Sequence, residues 1–219
     1  MPNQIYHFLA LGVAYLGLFV ISEYLYHRRN WDAENTRKVS HAGAGLLALS
    51  FPLLFKDSMY VIALCSTFLI ILGLTKRIGW LHSIHAVDRI TYGSTMFPLV
   101  VCICFWFYSR DLDLIKFYLP VLIMALADPA ACLVGRRFPI RPLYKKKSVG
   151  GSLAFFGVAF SLSALMFFLL RSDPDWRLAA PQCLVIAFVS MSAEAVTQKG
   201  FDNLTIPLST LAVLVLFPI

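Results

Sequence analysis

The sequence predicts an all-α, polytopic membrane bundle, and three observations carry that prediction. Residues of the AVILMFWYC set make up 59% of the 219-residue chain. Counted with Gly in place of Tyr the apolar share is about 60%, where soluble domains sit near 45–50%. Charged residues are only 14%, and mean hydropathy is +0.73. Finally, apolar runs of 16 to 23 residues recur from end to end. A soluble globule this small could not hide so much apolar surface, and a disordered chain would not contain it.

The runs, in order, are Ile5–Leu25, Val39–Phe55, Met59–Thr75, Gly93–Tyr108, Ile115–Val134, Ser148–Leu170, Leu178–Gln198 and Leu204–Ile219. A helix of about 20 residues crosses the hydrocarbon, so eight spans are expected, or seven if one run is re-entrant. The first run lacks a basic n-region and a small-residue cleavage site, so it reads as a retained helix. Residues 1–219 are expected to form one integral membrane domain.

Lys and Arg orient the chain. Loops one, three, five and seven hold 14 of the 19, and the even loops with their edges hold five. The positive-inside rule then places the odd loops in the cytoplasm and both termini outside. The net charge of +7 therefore belongs to one membrane face, where it suits anionic lipid or a phosphate substrate; no nucleic-acid partner is expected. Cys65, Cys102, Cys104, Cys132 and Cys183 all lie in apolar stretches without zinc-ligand spacing, and read as small core residues.

Three acids lie inside the runs: Glu23, Asp128 and Glu194. A carboxylate in hydrocarbon costs several kcal/mol by insertion scales, so each is a candidate functional group. All three sit near the expected cytoplasmic end. Glu23, beside Tyr24, Tyr26, His27 and Arg28, could equally reach the headgroups.

The richest segment runs from Asp128 to Ser152. Asp128, Cys132 and Gly135 share a helix face at i, i+4, i+7, and Ala127, Ala130 and Ala131 make that helix thin enough for close approach. A loop with six basic residues and no acid follows. Ser148 stands where a helix should start, as an N-cap. Gly150 and Gly151 would leave backbone N–H groups exposed there, and a helix N-terminus attracts phosphate. One carboxylate, a basic loop and a Gly-rich helix start could hold a nucleotide phosphate and its Mg²⁺. A positive-inside loop binding anionic lipid fits the same composition. The P-loop order is absent.

Three further segments belong beside it. Arg37-Lys38-Val39-Ser40-His41 opens the second run, with Arg37 and His41 on one face and Ser40, Ala44 and Ala48 forming a small-residue ridge. His41 is either a satisfied hydrogen-bonder or a base. Asp88-Arg89-Ile90-Thr91-Tyr92-Gly93 leads into the fourth run, and Arg89 either forks a phosphate or snorkels. Ser190, Glu194 and Gln198 form a polar stripe on the seventh run. It is followed by Gly200, which can end the helix, and by Asp202 and Asn203. Asp202 is a metal ligand or a cap for the last helix.

These segments, in this order, resemble the polyprenol kinase family, which includes dolichol, phytol and farnesol kinases and the CTP-dependent diacylglycerol kinase of yeast type. The resemblance covers roughly Arg37 to Pro207. Its pieces are R-K-x-x-H at Arg37–His41, R-x-T-Y-G at Arg89–Gly93, D-x-x-A-x-x-x-G-R at Asp128–Arg136, K-S-x-x-G-S at Lys147–Ser152, Glu194, and D-N-x-x-x-P at Asp202–Pro207. The chain departs from the family pattern at Ala127, usually Gly, at Pro129, and at Pro139, often Gly.

The resemblance implies phosphoryl transfer from a nucleotide, commonly CTP, to a lipid alcohol at the cytoplasmic face. The alcohol would be a polyisoprenoid or diacylglycerol, and the cofactor Mg²⁺ or another divalent metal. If the source is bacterial, the cytoplasmic membrane is the expected location. On this reading Asp128 and Asp202 hold the metal, while Lys146, Lys147, Ser148, Gly150, Gly151, Ser152 and Arg136 cradle the phosphates. Arg37, His41 and Arg89 complete the anion pocket, Glu194 orients or deprotonates the alcohol, and Tyr92 and Asn203 meet the substrate. Asp128, Glu194, Lys147 and His41 form the catalytic set. A phosphatidate cytidylyltransferase-like CDP-lipid synthase would use the same nucleotide but release pyrophosphate. A transporter or membrane scaffold fits less well, because the polar residues gather at one face and leave no through-path.

Overall fold

The computed structural model describes residues 2–86, 91–138, 140–144 and 147–218. Its helices are α1 (Pro2–Arg29), α2 (Ala33–Ala48), α3 (Phe51–Leu54), α4 (Ser58–Arg77), α5 (His82–His85), α6 (Gly93–Asp111), α7 (Ile115–Leu122), α8 (Asp128–Arg137), α9 (Val149–Leu170), α10 (Trp176–Val196) and α11 (Asp202–Leu216). One π turn, Ile123–Ala127, joins α7 to α8. A short antiparallel ribbon pairs β1 (Pro142–Tyr144) with β2 (Lys147–Ser148) just before α9.

Among the described residues, five helical stretches are long and apolar enough to cross a membrane: Asn3–Arg29, Ser58–Arg77, Ile115–Arg137, Val149–Leu170 and Trp176–Val196. The other three expected runs correspond to α2, α6 and α11, so eight full spans are not reached by length and apolarity. The causes are local. α2 begins six residues before Val39 because Asp32 caps it, accepting the Asn35 N–H at 2.6 Å, and this draws charged residues into the helix. α11 has only 15 residues. α6 starts on Gly, Ser and Thr and ends on Arg110 and Asp111.

Capping sets several other starts. Asp57 accepts the Met59 N–H at 2.9 Å, Asp175 that of Arg177 at 2.9 Å, and Ser148 that of Gly151 at 3.2 Å. Each satisfies an N–H that the helix itself leaves orphaned. α10 ends at Val196 and not at Gly200; Gly200 instead takes a left-handed turn with φ of 82° beyond it.

The stretch from Ile115 through α8 is the centre of the bundle. Ile115, Phe117, Leu119, Val121, Ile123, Met124 and Ala127 are wholly buried. α2, α9 and α11 pack on this stretch, with α6 against α7, α10 beyond α9 and α11, and α1 and α4 further out. Small residues permit the closest contacts. A Cβ on Gly151 would stand 2.8 Å from the Ala131 carbonyl oxygen and 3.4 Å from the Gly135 Cα, so α8 and α9 touch almost backbone to backbone. Outward faces remain apolar: Val13 and Val20 of α1, Ile70 of α4, Phe168 of α9 and Phe188 of α10 are exposed. Such a surface is stable in lipid, where no water penalises it. The chain is a multi-pass membrane protein.

The two ends of the bundle differ. At one end Arg171 forks Asp113 at 3.0 and 3.1 Å, and Lys116 pairs with Asp111. The opposite end, where α1, α4, α8 and α10 finish and α2, α6, α9 and α11 begin, carries most of the residues singled out from sequence.

Candidate functional site at one end of the bundle

Pro129 shapes the site's centre. It lacks the N–H that would close an α turn on the Ala125 carbonyl, and its ring crowds that carbonyl. The helix widens into the π turn just before Asp128, a local device common at functional sites. Gly45 of α2 lies against this turn, for a Cβ there would stand 2.5 Å from the Ala125 Cβ. α2 is thereby brought close enough for two of its residues to reach the centre. Lys38 Nζ donates to Asp128 Oδ2 at 3.3 Å, and the His41 ring lies near enough to Asp128 to feel its charge.

A second ion pair stands beside the first. Lys147 of β2 reaches Glu194 of α10. Glu194 and Asp128 are both buried. Asp202, first residue of α11, is close enough to respond to the charges of Asp128, Lys147 and Lys38. Glu194 responds to Lys147, Asp128 and Asp202. Five elements thus bring Lys38, His41, Asp128, Lys147, Glu194 and Asp202 into one electrostatic cluster. Burial first, and then the Asp128 charge, push the Asp202 carboxyl above the usual carboxylate range. Burial works against the charge on Lys38, but Asp128 outweighs it with help from Cys132 and Glu34, so the ammonium is held charged. Asp202 is the first residue of α11, after the N-cap Phe201, and its Oδ1 accepts the Asn203 N–H at 3.1 Å, so it also satisfies an N–H in the helix's first turn.

The remaining sequence-derived residues separate into groups. Arg37 donates to Thr91 Oγ1 at 2.8 Å, and Asn203 Nδ2 donates to the Gly93 carbonyl at 2.9 Å. Gly200 has to be glycine because a Cβ would run into the Gly93 backbone and the Thr91 hydroxyl. Tyr92 is partly exposed and turns aside to Phe201, ring centroids 5.5 Å apart, with Lys76 over its face. Arg136 is half exposed and donates to Asn35 Oδ1 at 3.3 Å. Ser152 is buried in α9, its hydroxyl without a hydrogen-bond partner among the described residues. Glu23 joins α1 to α5, pairing with His27 at 3.0 Å and accepting the Ser83 N–H at 2.9 Å. Arg89 and Lys146 lie outside the described residues.

The expectation for the glycines needs correction. Gly150 and Gly151 are buried, and the Gly151 N–H is already taken by Ser148. Their missing side chains serve close packing: Gly151 against α8, and Gly150 against the Phe138 carbonyl, 2.8 Å from where a Cβ would sit. Lys38 is the residue the sequence reading left without a role. Its signal was present, three positions before His41 and on the same helical turn of R-K-x-x-H.

Comparison with known proteins fits this arrangement. The chain is 30% identical over 218 residues to the phytol kinase of Synechocystis, covering 95% of this chain and 91% of that protein. It is 29% identical over 204 residues to the probable phytol kinase 2, chloroplastic, of Glycine max, covering 86% and 67%. It is 34% identical over 98 residues to the probable phytol kinase, chloroplastic, of Zea mays, covering 41% and 32%. No family model and no solved structure matches. Similarity running through nearly the whole chain means that it belongs to the polyprenol and phytol kinase family and is a kinase, a transferase.

Proposed function

We propose that the chain transfers the γ-phosphoryl group of CTP to the hydroxyl of a phytol-like isoprenoid alcohol, with Mg²⁺, at the cytoplasmic face. The observation that carries this is the buried cluster of two lysines and three carboxylates at one end of an apolar bundle. Phosphoryl transfer asks mainly for positioning and for stabilisation of charge on the transferred group. A lipid alcohol arrives from the bilayer and a nucleotide from water, so the reaction belongs at their boundary. The excess of Lys and Arg in the odd loops supports a cytoplasmic site, since those loops flank the cluster.

Asp128 and Asp202 would hold the metal. They are hard oxygen donors from two helices, and the charge of one is felt by the other. Mg²⁺ is held by one or two carboxylates together with substrate phosphates. When bound, the ion would neutralise charge on the β- and γ-phosphates. Lys147 supplies a second positive charge, and Glu194 fixes its ammonium in place. That pairing recasts Glu194 as a positioning residue for Lys147, since its carboxylate is already engaged. Lys38 contributes a further cation beside Asp128. Arg136 and the basic loop after it draw the nucleotide in.

The test is an assay of the purified full chain with CTP or ATP against phytol, farnesol, undecaprenol and diacylglycerol. The expected result is a prenyl monophosphate and CDP. Pyrophosphate release would indicate a CDP-lipid synthase, and faster transfer from ATP would remove CTP as the donor.

A further inference from the structure

A narrow apolar slot lies beside the charged cluster, between α1, α2, α4 and α6, with a cavity volume of about 70 Å³. Arg37, His41 and Asn203 stand at the cluster end. Leu64, Phe68, Phe97 and Val101 line its length. Polar groups on its walls have partners: the Tyr15 hydroxyl donates to the Ala44 carbonyl at 3.1 Å, and Ser40 shares a hydrogen bond with Ser22 at 2.6 Å. His41 differs. Its ring is held edge-on to Phe97, centroids 4.9 Å apart. Its Nε2 is buried with no hydrogen-bond partner among the described residues. A buried nitrogen left so is costly unless a ligand completes it.

We propose that this slot receives the head of the acceptor: the hydroxyl end of one isoprenoid chain enters it, the rest of the chain lying in the bilayer, and its terminal hydroxyl donates a hydrogen bond to His41 Nε2. The proposal rests on the lipid-alcohol kinase reading and adds where the acceptor's head sits and what activates it. The hydroxyl oxygen forms a bond to the γ-phosphorus as the bond from that phosphorus to the β–γ bridging oxygen breaks. The hydroxyl proton passes to Nε2, and the leaving nucleoside diphosphate keeps the electron pair. From Gly93 to Val101 the α6 wall is eight residues, about 12 Å at ~1.5 Å per residue. The slot therefore reads the first part of the chain.

Full-length protein in detergent micelles, incubated with a prenol carrying a diazirine on its first isoprene units and then irradiated, tests the placement. Labelling at slot residues such as Leu64, Phe68 or Val101, competed away by unlabelled phytol, is expected. Labelling confined to outward residues such as Ile62 or Ile70, both exposed, would overturn it. Filling the slot by Ala44→Leu should raise the Michaelis constant for phytol at least tenfold and leave that for the nucleotide unchanged; equal constants for phytol would count against the slot. If that variant does not fold, the wild-type labelling decides alone. His41→Gln should lower kcat by roughly 10²-fold while slot labelling persists, and an unchanged kcat would remove His41 as the hydroxyl's partner. Prenol phosphorylation by wild type without slot labelling would sink this placement but keep the kinase reading. Slot labelling without transfer from any nucleotide would do the reverse.

Discussion

Lys147 and Glu194 face each other with very different exposure, 28% and 4% of their side chains. Removing one partner of a buried pair leaves the other charge stranded, at a cost of about 3–5 kcal/mol, and the low end applies here because Lys147 is partly solvated. Lys147→Met should therefore lower the thermal midpoint of the full chain in detergent and also lose phosphoryl transfer. The double variant Lys147→Met with Glu194→Leu should regain most of the midpoint and none of the transfer. Recovery of activity in the double variant would show that the pair is structural only. At this scale the sequence exposed much of the site, because a carboxylate in an apolar run is costly enough to demand a reason. Asp128 and Glu194 were found that way, whereas Asp202 was found by its place just after Gly200 and in the D-N-x-x-x-P segment. Lys38 escaped because a lysine at the edge of a run is ordinary, and only the folded chain shows that it meets Asp128. Gly150 and Gly151 were misread for a related cause. A glycine serves an open N–H, a positive φ or a close contact, and only the neighbouring helix tells which.

Among the elements, the α8–α9 contact and the π turn do most to position the cluster. Gly151→Val would push a branched side chain into the Ala131 carbonyl, 2.8 Å from its first carbon, and overpacking of this kind costs about 1–3 kcal/mol. The expected outcome is a lower thermal midpoint together with weaker CTP and phytol dependence, because the whole of α9 shifts with β2 and Lys147. A selective loss of CTP affinity with an unchanged midpoint would restore the phosphate-cradle role. Helix positions were legible from hydropathy, since most of the eight runs coincide with a helix. Their ends were less so. Asp32 starts α2 early, Thr197 follows an α10 that stops short of Gly200, and Pro129 produces a π turn that no apolar period announces.

On the scale of the whole molecule, antiparallel alternation sends the chemistry-bearing residues to one end and the Arg171–Asp113 pair to the other. The 14-to-5 basic split predicts that the first end is cytoplasmic. Single cysteines placed in the loop after Arg136, in an otherwise cysteine-free chain, should react with a membrane-impermeant maleimide only once the cytoplasmic face is opened. Reaction in intact cells would invert the orientation and take the nucleotide to the wrong side. The central claim is that the cluster around Asp128 is where a phosphoryl group passes to a lipid alcohol. The most direct measurement is transfer of label from γ-labelled CTP to phytol by wild type and by Asp128→Asn, which keeps the side chain's shape and removes its charge. Loss of a metal-site carboxylate removes several kcal/mol of transition-state stabilisation. The account predicts labelled phytyl monophosphate from wild type and a loss of at least ~10³-fold in a folded Asp128→Asn variant. Near-normal transfer by that variant would contradict it.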